Sequence, residues 1–124
     1  LLGLALPYLV AGWRGLLWGG LVRIAFTSHT AFAVNSICHM FGSRPFATGD
    51  ESRNNWVIGI LGFGEGWHNN HHAFPSMAYH GMTLRQFDAS ALLIRLLARL
   101  GLAWNVKQPA PHAVERRRRT PALT

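Results

Sequence analysis

The sequence predicts an all-α fold, with a membrane-embedded helical hairpin followed by a helical cytosolic cap that carries clustered histidines. Three observations support this prediction. The first forty residues are mostly apolar and hold only Arg14 and Arg23 as fixed charges. Three of the seven histidines lie within residues 68–72 at helical spacing. An amphipathic pattern follows Asp88, a residue type that favours the start of a helix.

The first leg of the hairpin is the apolar segment 1–10, which we interpret as the last turns of a membrane helix. The sequence opens at Leu1 without Met and without the basic flank of a signal peptide, so we expect a fragment of a longer chain. Residues 11–14 include Gly12 and Trp13 and predict an interfacial turn, because the amphipathic Trp ring prefers that depth.

The second leg is predicted over residues 15–40, because a membrane span needs about 20 mainly apolar residues. Arg23 interrupts this segment, and a charge at that depth is expected to face the protein interior or to reach an interface. A buried amphipathic helix of a soluble protein is the alternative for this segment.

The cytosolic cap is predicted over residues 41–107. Within it, Asp88 is expected to cap a helix over 89–100 that Gly101 ends. Residues 108–124 are rich in Pro, Ala and Arg, a composition that predicts a disordered basic tail.

The formal net charge of +7 comes largely from the end of the chain, where Arg116–Arg119 are consecutive. Basic proteins often bind nucleic acid, but no recognition motif is visible and the first forty residues are too apolar for a soluble basic domain. We therefore predict no nucleic-acid partner. Lys and Arg are enriched on the cytoplasmic side of membrane proteins, so we expect an integral membrane protein with a cytoplasmic C-terminus. Cys38 is the single cysteine and excludes an intrachain disulfide.

The histidines at 68, 71 and 72 are the strongest functional signal in the sequence. On a helix, His68 shares a face with both His71 and His72. Neutral imidazole binds Fe, Zn, Cu or Ni, so this spacing predicts a metal site without choosing the metal. The isolated His29 and His80 are expected to have no metal role, and we expect the same of His112.

A second polar pair lies near the end of the second leg. Asn35 and His39 are four residues apart and share a helix face, and polar groups in such a segment are usually functional. Together with the triplet they offer five candidate groups. That number exceeds the four ligands of one zinc and is too small to complete two metals. We therefore predict a two-metal site whose remaining ligands lie outside these residues.

Several short segments around these histidines carry a further signal. They are Asn35-Ser36-Ile37-Cys38-His39-Met40-Phe41-Gly42, Arg44-Pro45-Phe46, Asn54-Asn55-Trp56, Gly64-Glu65-Gly66-Trp67-His68-Asn69-Asn70-His71-His72-Ala73-Phe74-Pro75 and Leu100-Gly101-Leu102-Ala103-Trp104. Over residues 1–107 the sequence resembles the membrane fatty acyl desaturases of the stearoyl-CoA desaturase type, particularly the bacterial members.

The resemblance implies a di-iron centre held by nine histidines and one asparagine that acts through water. The four ligands carried over by motif are His39, His68, His71 and His72, with Asn35 as the water-mediated group. Reduced iron would activate dioxygen and insert a cis double bond into a long acyl chain. Glu65 would orient a ligand imidazole or, alternatively, cap the histidine-bearing helix. Phe32 and Val34 would line the acyl channel or pack against lipid or core.

The resemblance also implies partners. These are a long-chain acyl thioester or lipid-linked acyl chain, dioxygen, membrane lipids and a small redox protein as electron donor. Arg116–Arg119 would dock an acidic donor or anionic lipid, or serve only as cytoplasmic anchoring charge. The two earlier histidine boxes of the family are absent from these residues, so this chain alone is not expected to be active. A membrane di-iron hydroxylase and a non-catalytic metal-binding remnant are the alternatives.

Overall fold

The computed structural model describes residues 1–118, and within that range the structure is all-helical with three isolated bridges and no strand. The predicted fold class is therefore confirmed. We number the α-helices in chain order, and one π-helical stretch separates the first two. The elements are α1 Leu2–Arg14, the π-helical stretch Gly15–Val22, α2 Arg23–Met40, α3 Trp56–Leu61, α4 His68–Ala73, α5 Ala89–Arg99 and α6 Pro111–Arg117.

The first compact unit, Leu1–Ala33, contains a sharp turn within α1. Ala11 and Gly12 leave helical geometry, and Gly12 has a φ of 56°, a value that favours glycine. The turn falls inside the predicted interfacial segment 11–14. After it, the chain runs back along its own first turns. The two legs approach so closely that a Cβ on Gly15 would lie 1.8 Å from the carbonyl oxygen of Pro7. Only glycine permits this approach.

Arg23 is accommodated inside the first unit by backbone carbonyl groups. Its Nε donates to the oxygen of Gly19 at 2.8 Å, and its guanidinium reaches the oxygen of Gly3 at 3.2 Å. The charge thereby joins the two legs of the turn, which explains how an otherwise apolar segment carries an arginine.

By length and composition, the helical run Leu2–Met40 is the one segment of the described chain suited to crossing a membrane. Its large apolar side chains are mostly exposed, including Leu9, Trp13 and Phe26. An exposed apolar surface of this size is typical of a segment surrounded by lipid or by other protein. The division into crossings at 1–10 and 15–40, with a cap over 41–107, stays a prediction.

The second compact unit begins at Val34, within α2. Val34 and Cys38 pack with Ile58 of α3 in one small core cluster. Phe46 packs with Ala73 and Phe74 in another, where the Phe46 and Phe74 rings meet edge to face at 5.2 Å. The second cluster places the loop after α2 against the end of α4.

Helix α5 begins and ends where the sequence predicts. The carboxylate of Asp88 accepts a hydrogen bond from the backbone N–H of Ala91 at 2.8 Å, as an N-cap residue does. Gly101 follows the helix with a φ of 71°, the left-handed conformation that commonly ends helices.

The predicted disorder of residues 108–124 is wrong for the part that the structure describes. Residues 111–117 form α6, which starts with Pro111 in its first turn. Ala113 and Val114 pack against the cluster around Phe46, and burial of this apolar face outweighs a composition typical of disorder. The remainder of the tail, including Arg119, lies outside the described residues.

Candidate metal centre

Helix α4 carries three histidines, but its six residues are too few for a helix to be stable by itself. Tertiary contacts hold both of its sides. The indole of Trp67, at the N-terminal boundary, donates to the carbonyl oxygen of Phe87 at 2.7 Å. Gly66 lies so close to α3 that a Cβ would approach the nitrogen of Gly59 to 2.0 Å. The segment that leads into α4 is therefore fixed by direct backbone packing.

Asn69 fixes one side of α4 to the preceding loop. Its side chain is fully buried, and its oxygen accepts from the N–H of Phe46 at 2.9 Å. Its amide nitrogen donates to the carbonyl oxygen of Phe46 at 3.2 Å and lies 3.4 Å from the hydroxyls of Thr48 and Ser52. Because a buried amide must be hydrogen-bonded, this set of partners defines where the loop lies.

Asn70, the next residue of α4, also fixes the helix through hydrogen bonds to other segments. It accepts a hydrogen bond from the amide of Asn54 at 2.7 Å and donates to the carbonyl oxygen of His80 at 2.9 Å. It also donates to the side-chain oxygen of Gln86 at 3.0 Å. The two asparagines thus occupy the buried side of α4 and leave the histidines to converge elsewhere.

His39, at the end of α2, meets two of the histidines of α4. The candidate ligand atoms of His39, His68 and His72 all lie within 4.8 Å of one another. The Nε2 atoms of His39 and His68 are 3.2 Å apart. Imidazole nitrogens at these separations can share one metal ion, since a metal–nitrogen bond is about 2.0–2.1 Å for zinc. We call these three residues the three-histidine cluster.

His71 points to a different neighbour. Its ring lies 4.4 Å from the ring of His80, and His80 Nδ1 is 3.8 Å from a carboxylate oxygen of Glu65. His71 nevertheless stays near the other two histidines of the triplet, with its ring 5.6 Å from His72 and 6.3 Å from His68. His68 and His72 therefore meet His39, whereas the ring nearest to His71 is that of His80.

The electrostatics of the site favour neutral imidazoles. Burial, followed by the nearby imidazoles of His72 and His39, lowers the pKa of His68 to about 4. Burial and His80 also lower the pKa of His71. Both side chains are therefore neutral near pH 7, which is the form that binds metals.

The donor set fits a transition metal. The Nδ1 atoms of His68 and His71 are buried and have no hydrogen-bond partner among the described residues. Such an atom is costly to bury unless something binds it. Nitrogen donors of this kind suit Fe, Zn, Cu or Ni.

The other predicted site residues are placed as follows. Asn35 lies on the exposed surface of α2, one turn before His39, and its water-mediated role stays a prediction. Val34 is 5% exposed in the core cluster with Cys38, whereas Phe32 is 69% exposed. Packing accounts for the burial of Val34, and the channel role of both residues stays a prediction. A carboxylate oxygen of Glu65 lies 3.8 Å from His80 Nδ1, its charge also acts on His71, and its predicted role stays a prediction.

Sequence reasoning missed two side chains at the site. The carboxylate of Asp50 is hydrogen-bonded to Nδ1 of His72. His80, expected to be uninvolved, lies against His71. Neither residue belongs to a periodic pattern. The available signal for Asp50 was a carboxylate in the loop between two segments of predicted histidine ligands, where a partner for an imidazole is commonly found.

The fold and the site together define a class. It is that of membrane-associated helical proteins in which histidines at the end of a long apolar helix and on a short second helix form a cluster suited to metal. The family model for fatty acid desaturases matches residues 1–85. The chain belongs to the fatty acid desaturase family.

Three relatives illustrate the similarity. The chain is 48% identical to an icosanoyl-CoA 5-desaturase of Limnanthes douglasii and 49% identical to an acyl-CoA C20 Delta5-desaturase of Anemone leveillei. It is 48% identical to an sn-1 stearoyl-lipid 9-desaturase of Anabaena variabilis. Each match covers 86% of this chain, but only 30%, 34% and 39% of the respective relatives. The chain therefore spans about a third of the length of these relatives.

Proposed function

We propose that this chain supplies part of a histidine-ligated di-iron centre of an oxygen-dependent fatty acyl desaturase. His39, His68, His71 and His72 are iron ligands in this proposal, and Asn35 acts through a water molecule. The remaining ligands come from residues outside this chain. The proposal therefore assigns no desaturase activity to these 124 residues alone.

The observation that carries the proposal is the meeting of His39 with α4. His39 and His68 are 29 positions apart in the sequence, and their Nε2 atoms lie 3.2 Å from each other. A helix that ends in one histidine and a separate helix that presents two more create a site from distant segments. Two hydrogen-bonded asparagines fix that arrangement, which is how a pre-organised metal site is built.

The division of the histidines supports two metal positions rather than one. The three-histidine cluster offers one position, and His71, which lies outside that cluster, has its ring 4.4 Å from His80. When bound, the irons would supply dioxygen chemistry in which one O2, two electrons and two protons from outside the chain, and two hydrogens of the acyl chain give a cis double bond and two waters. The protein keeps His68 and His71 neutral, orients the ligand imidazoles and excludes competing reactions.

The substrate class follows from the relatives. The names of these relatives describe acyl chains carried by CoA or by lipid, so we propose a long-chain acyl substrate on one of these carriers. The apolar run Leu2–Met40 is consistent with a lipid-embedded enzyme. We further propose that the metal site and C-terminus face the cytoplasm, where a small redox protein delivers electrons and the basic end of the chain favours an acidic partner.

The test is iron content in the full reading frame that encodes this segment, expressed in membranes. We expect about two irons per polypeptide in the parent, as in two-metal enzymes, and far fewer in the variant His68→Ala, His71→Ala. The matched control is His112→Ala, which removes an exposed histidine of α6 and should leave the iron content unchanged.

Product analysis completes the test. Incubation of the iron-loaded parent with acyl-CoA and acyl-lipid substrates should give an alkene. An alcohol product would assign the site to a hydroxylase. One zinc per polypeptide, or iron that persists in the double variant, would contradict the di-iron proposal and leave a non-catalytic metal-binding role.

A further inference from the structure

Asp50 lies in the loop between α2 and α3, 22 residues before the histidine that it contacts. Its carboxylate accepts a hydrogen bond from Nδ1 of His72, which leaves Nε2 of that ring for the three-histidine cluster. A neutral imidazole carries one N–H, so this contact selects the tautomer with hydrogen on Nδ1. Nε2 is then the atom with a free lone pair.

The loop around Asp50 is built to hold the carboxylate in place. One carboxylate oxygen accepts the backbone N–H of Ser52 at 3.0 Å, and the guanidinium of Arg44 donates to the carbonyl oxygen of Asp50. The hydroxyl of Thr48 reaches the same carbonyl at 3.2 Å. Burial raises the pKa of Asp50, but hydrogen bonds from Ser52, His72 and Thr48 outweigh it and hold that pKa well below its usual value.

The loop is also tied to α4 itself. The buried amide of Asn69 lies 3.4 Å from both hydroxyls that flank Asp50, those of Thr48 and Ser52. Asn69 and His72 belong to the same short helix. The helix that carries the histidine therefore also fixes the loop that carries its carboxylate partner, so the two groups keep their relative position.

We propose that Asp50 is a positioning residue for the metal centre, which holds His72 in the Nδ1–H tautomer and aims its Nε2 at His39 and His68. The inference rests on the proposed function, because it assigns His72 as a metal ligand. Carboxylate–histidine–metal arrangements fix ring orientation and raise ligand basicity. Asp50 itself binds neither metal nor substrate in this proposal.

The first test reads the tautomer directly, in metal-free protein from the full reading frame with ¹⁵N-labelled histidine. In the parent, the NMR signals that disappear in His72→Gln should show hydrogen on Nδ1 and a free Nε2. In Asp50→Ala that pattern should change to a mixture of tautomers. Hydrogen on Nε2 in the parent, or an unchanged His72 pattern in Asp50→Ala, overturns the proposal.

The second test measures metal affinity by competition between the protein and a chelator for Fe²⁺. Loss of a carboxylate behind a ligand imidazole typically lowers affinity about 10–100-fold, and we expect a loss of this size in Asp50→Ala. Asp50→Asn, which retains shape but not charge, should give a smaller loss. The matched control is Glu115→Gln, which removes an exposed carboxylate of α6 that pairs with Arg118.

The outcomes separate the inference from the proposed function. A parent that binds no iron but shows the Nδ1–H tautomer contradicts the di-iron function and retains Asp50 as the group that orients His72. A parent that binds iron, with equal affinity in folded Asp50→Ala, contradicts the inference alone. If Asp50→Ala fails to fold, Asp50→Asn provides the same two measurements.

Discussion

The two compact units of this chain hold their shape by opposite means. In Leu1–Ala33 large apolar side chains are exposed, and Gly20 is the single buried residue. From Val34 onward, polar side chains are buried, among them Ser52, Asn69, Asn70 and Asp88. The first unit depends on close backbone contact and an apolar surrounding. The second depends on satisfied hydrogen bonds, which give direction as well as stability.

The largest expected effect is at the close contact in the first unit. Gly15→Ala places a Cβ where the carbonyl oxygen of Pro7 lies, so the two legs must separate. We expect a loss of about 4 kcal/mol in unfolding free energy, the upper end for overpacking. Thermal unfolding of the detergent-solubilised protein measures it.

Gly49→Ala is the control for that substitution, because a Cβ at Gly49 meets nothing within 4 Å. Equal effects at Gly15 and Gly49 would show that backbone contact does not hold the first unit together.

The next effect concerns the buried amides of the second unit. Asn70→Ala removes the partner of the Asn54 amide and of the His80 carbonyl, whereas the side-chain oxygen of Gln86 keeps the N–H groups of Met82 and Thr83. Unsatisfied buried groups cost about 1–3 kcal/mol each, and partial relaxation should limit the total to about 3 kcal/mol. Denaturant unfolding checks this value, with exposed Ser76→Ala as control. A change below about 1 kcal/mol would mean that the network contributes little.

A pH effect of intermediate size is expected from His68. Its pKa is about 4 in the folded protein and 6.5 as the ordinary value, so the unfolded state binds the proton more readily. Stability is therefore complete above pH 6.5 and is lost as pH falls toward 4. Between pH 7 and pH 5 the metal-free protein should lose about 2 kcal/mol.

Thermal unfolding at several pH values measures this loss, with metal removed by chelation. His68→Gln should flatten the profile and His112→Gln should leave it unchanged. An equally steep profile in His68→Gln would assign the pH dependence to other groups.

The smallest effect tests the helix that replaces the predicted disordered tail. Arg117 donates to the carbonyl oxygen of Ala73, and its guanidinium lies 5.5 Å from the ring of Phe74. Arg117→Ala should cost about 1 kcal/mol, as for a partly exposed cation–π pair with one hydrogen bond. Neighbouring Arg116→Ala should stay within about 0.5 kcal/mol. Equal values in denaturant unfolding would show that α6 is held by its apolar face alone.

Local sequence patterns predicted those parts of the molecule that are determined by residues close together in the sequence. The turn at 11–14, the cap at Asp88 and the end of α5 at Gly101 all follow from residue type and spacing. The proximity of His39 to α4 was predicted because both segments carried unusual polar residues.

The remaining features depend on contacts between distant residues. Asp50 lies in a loop without periodicity, and His80 reaches His71 only because Asn70 and Asp88 hold the backbone around it. Helix α6 forms because Ala113 and Val114 find an apolar cluster far earlier in the chain. The composition of residues 108–124 does not predict contact with such a cluster.

The histidines and asparagines of α4 have different roles, and this has a consequence for protein design. Transferring His68, His71 and His72 onto another helix would reproduce the spacing and lose the geometry, because Asn69 and Asn70 fix that helix through the loop at Phe46 and through Asn54. The portable unit is instead residues 34–88, which hold the two histidine-bearing helix ends, the loop between them and the segment that binds Trp67 and Asn70. A designer who grafts only the five-residue motif would carry over the ligands without their scaffold.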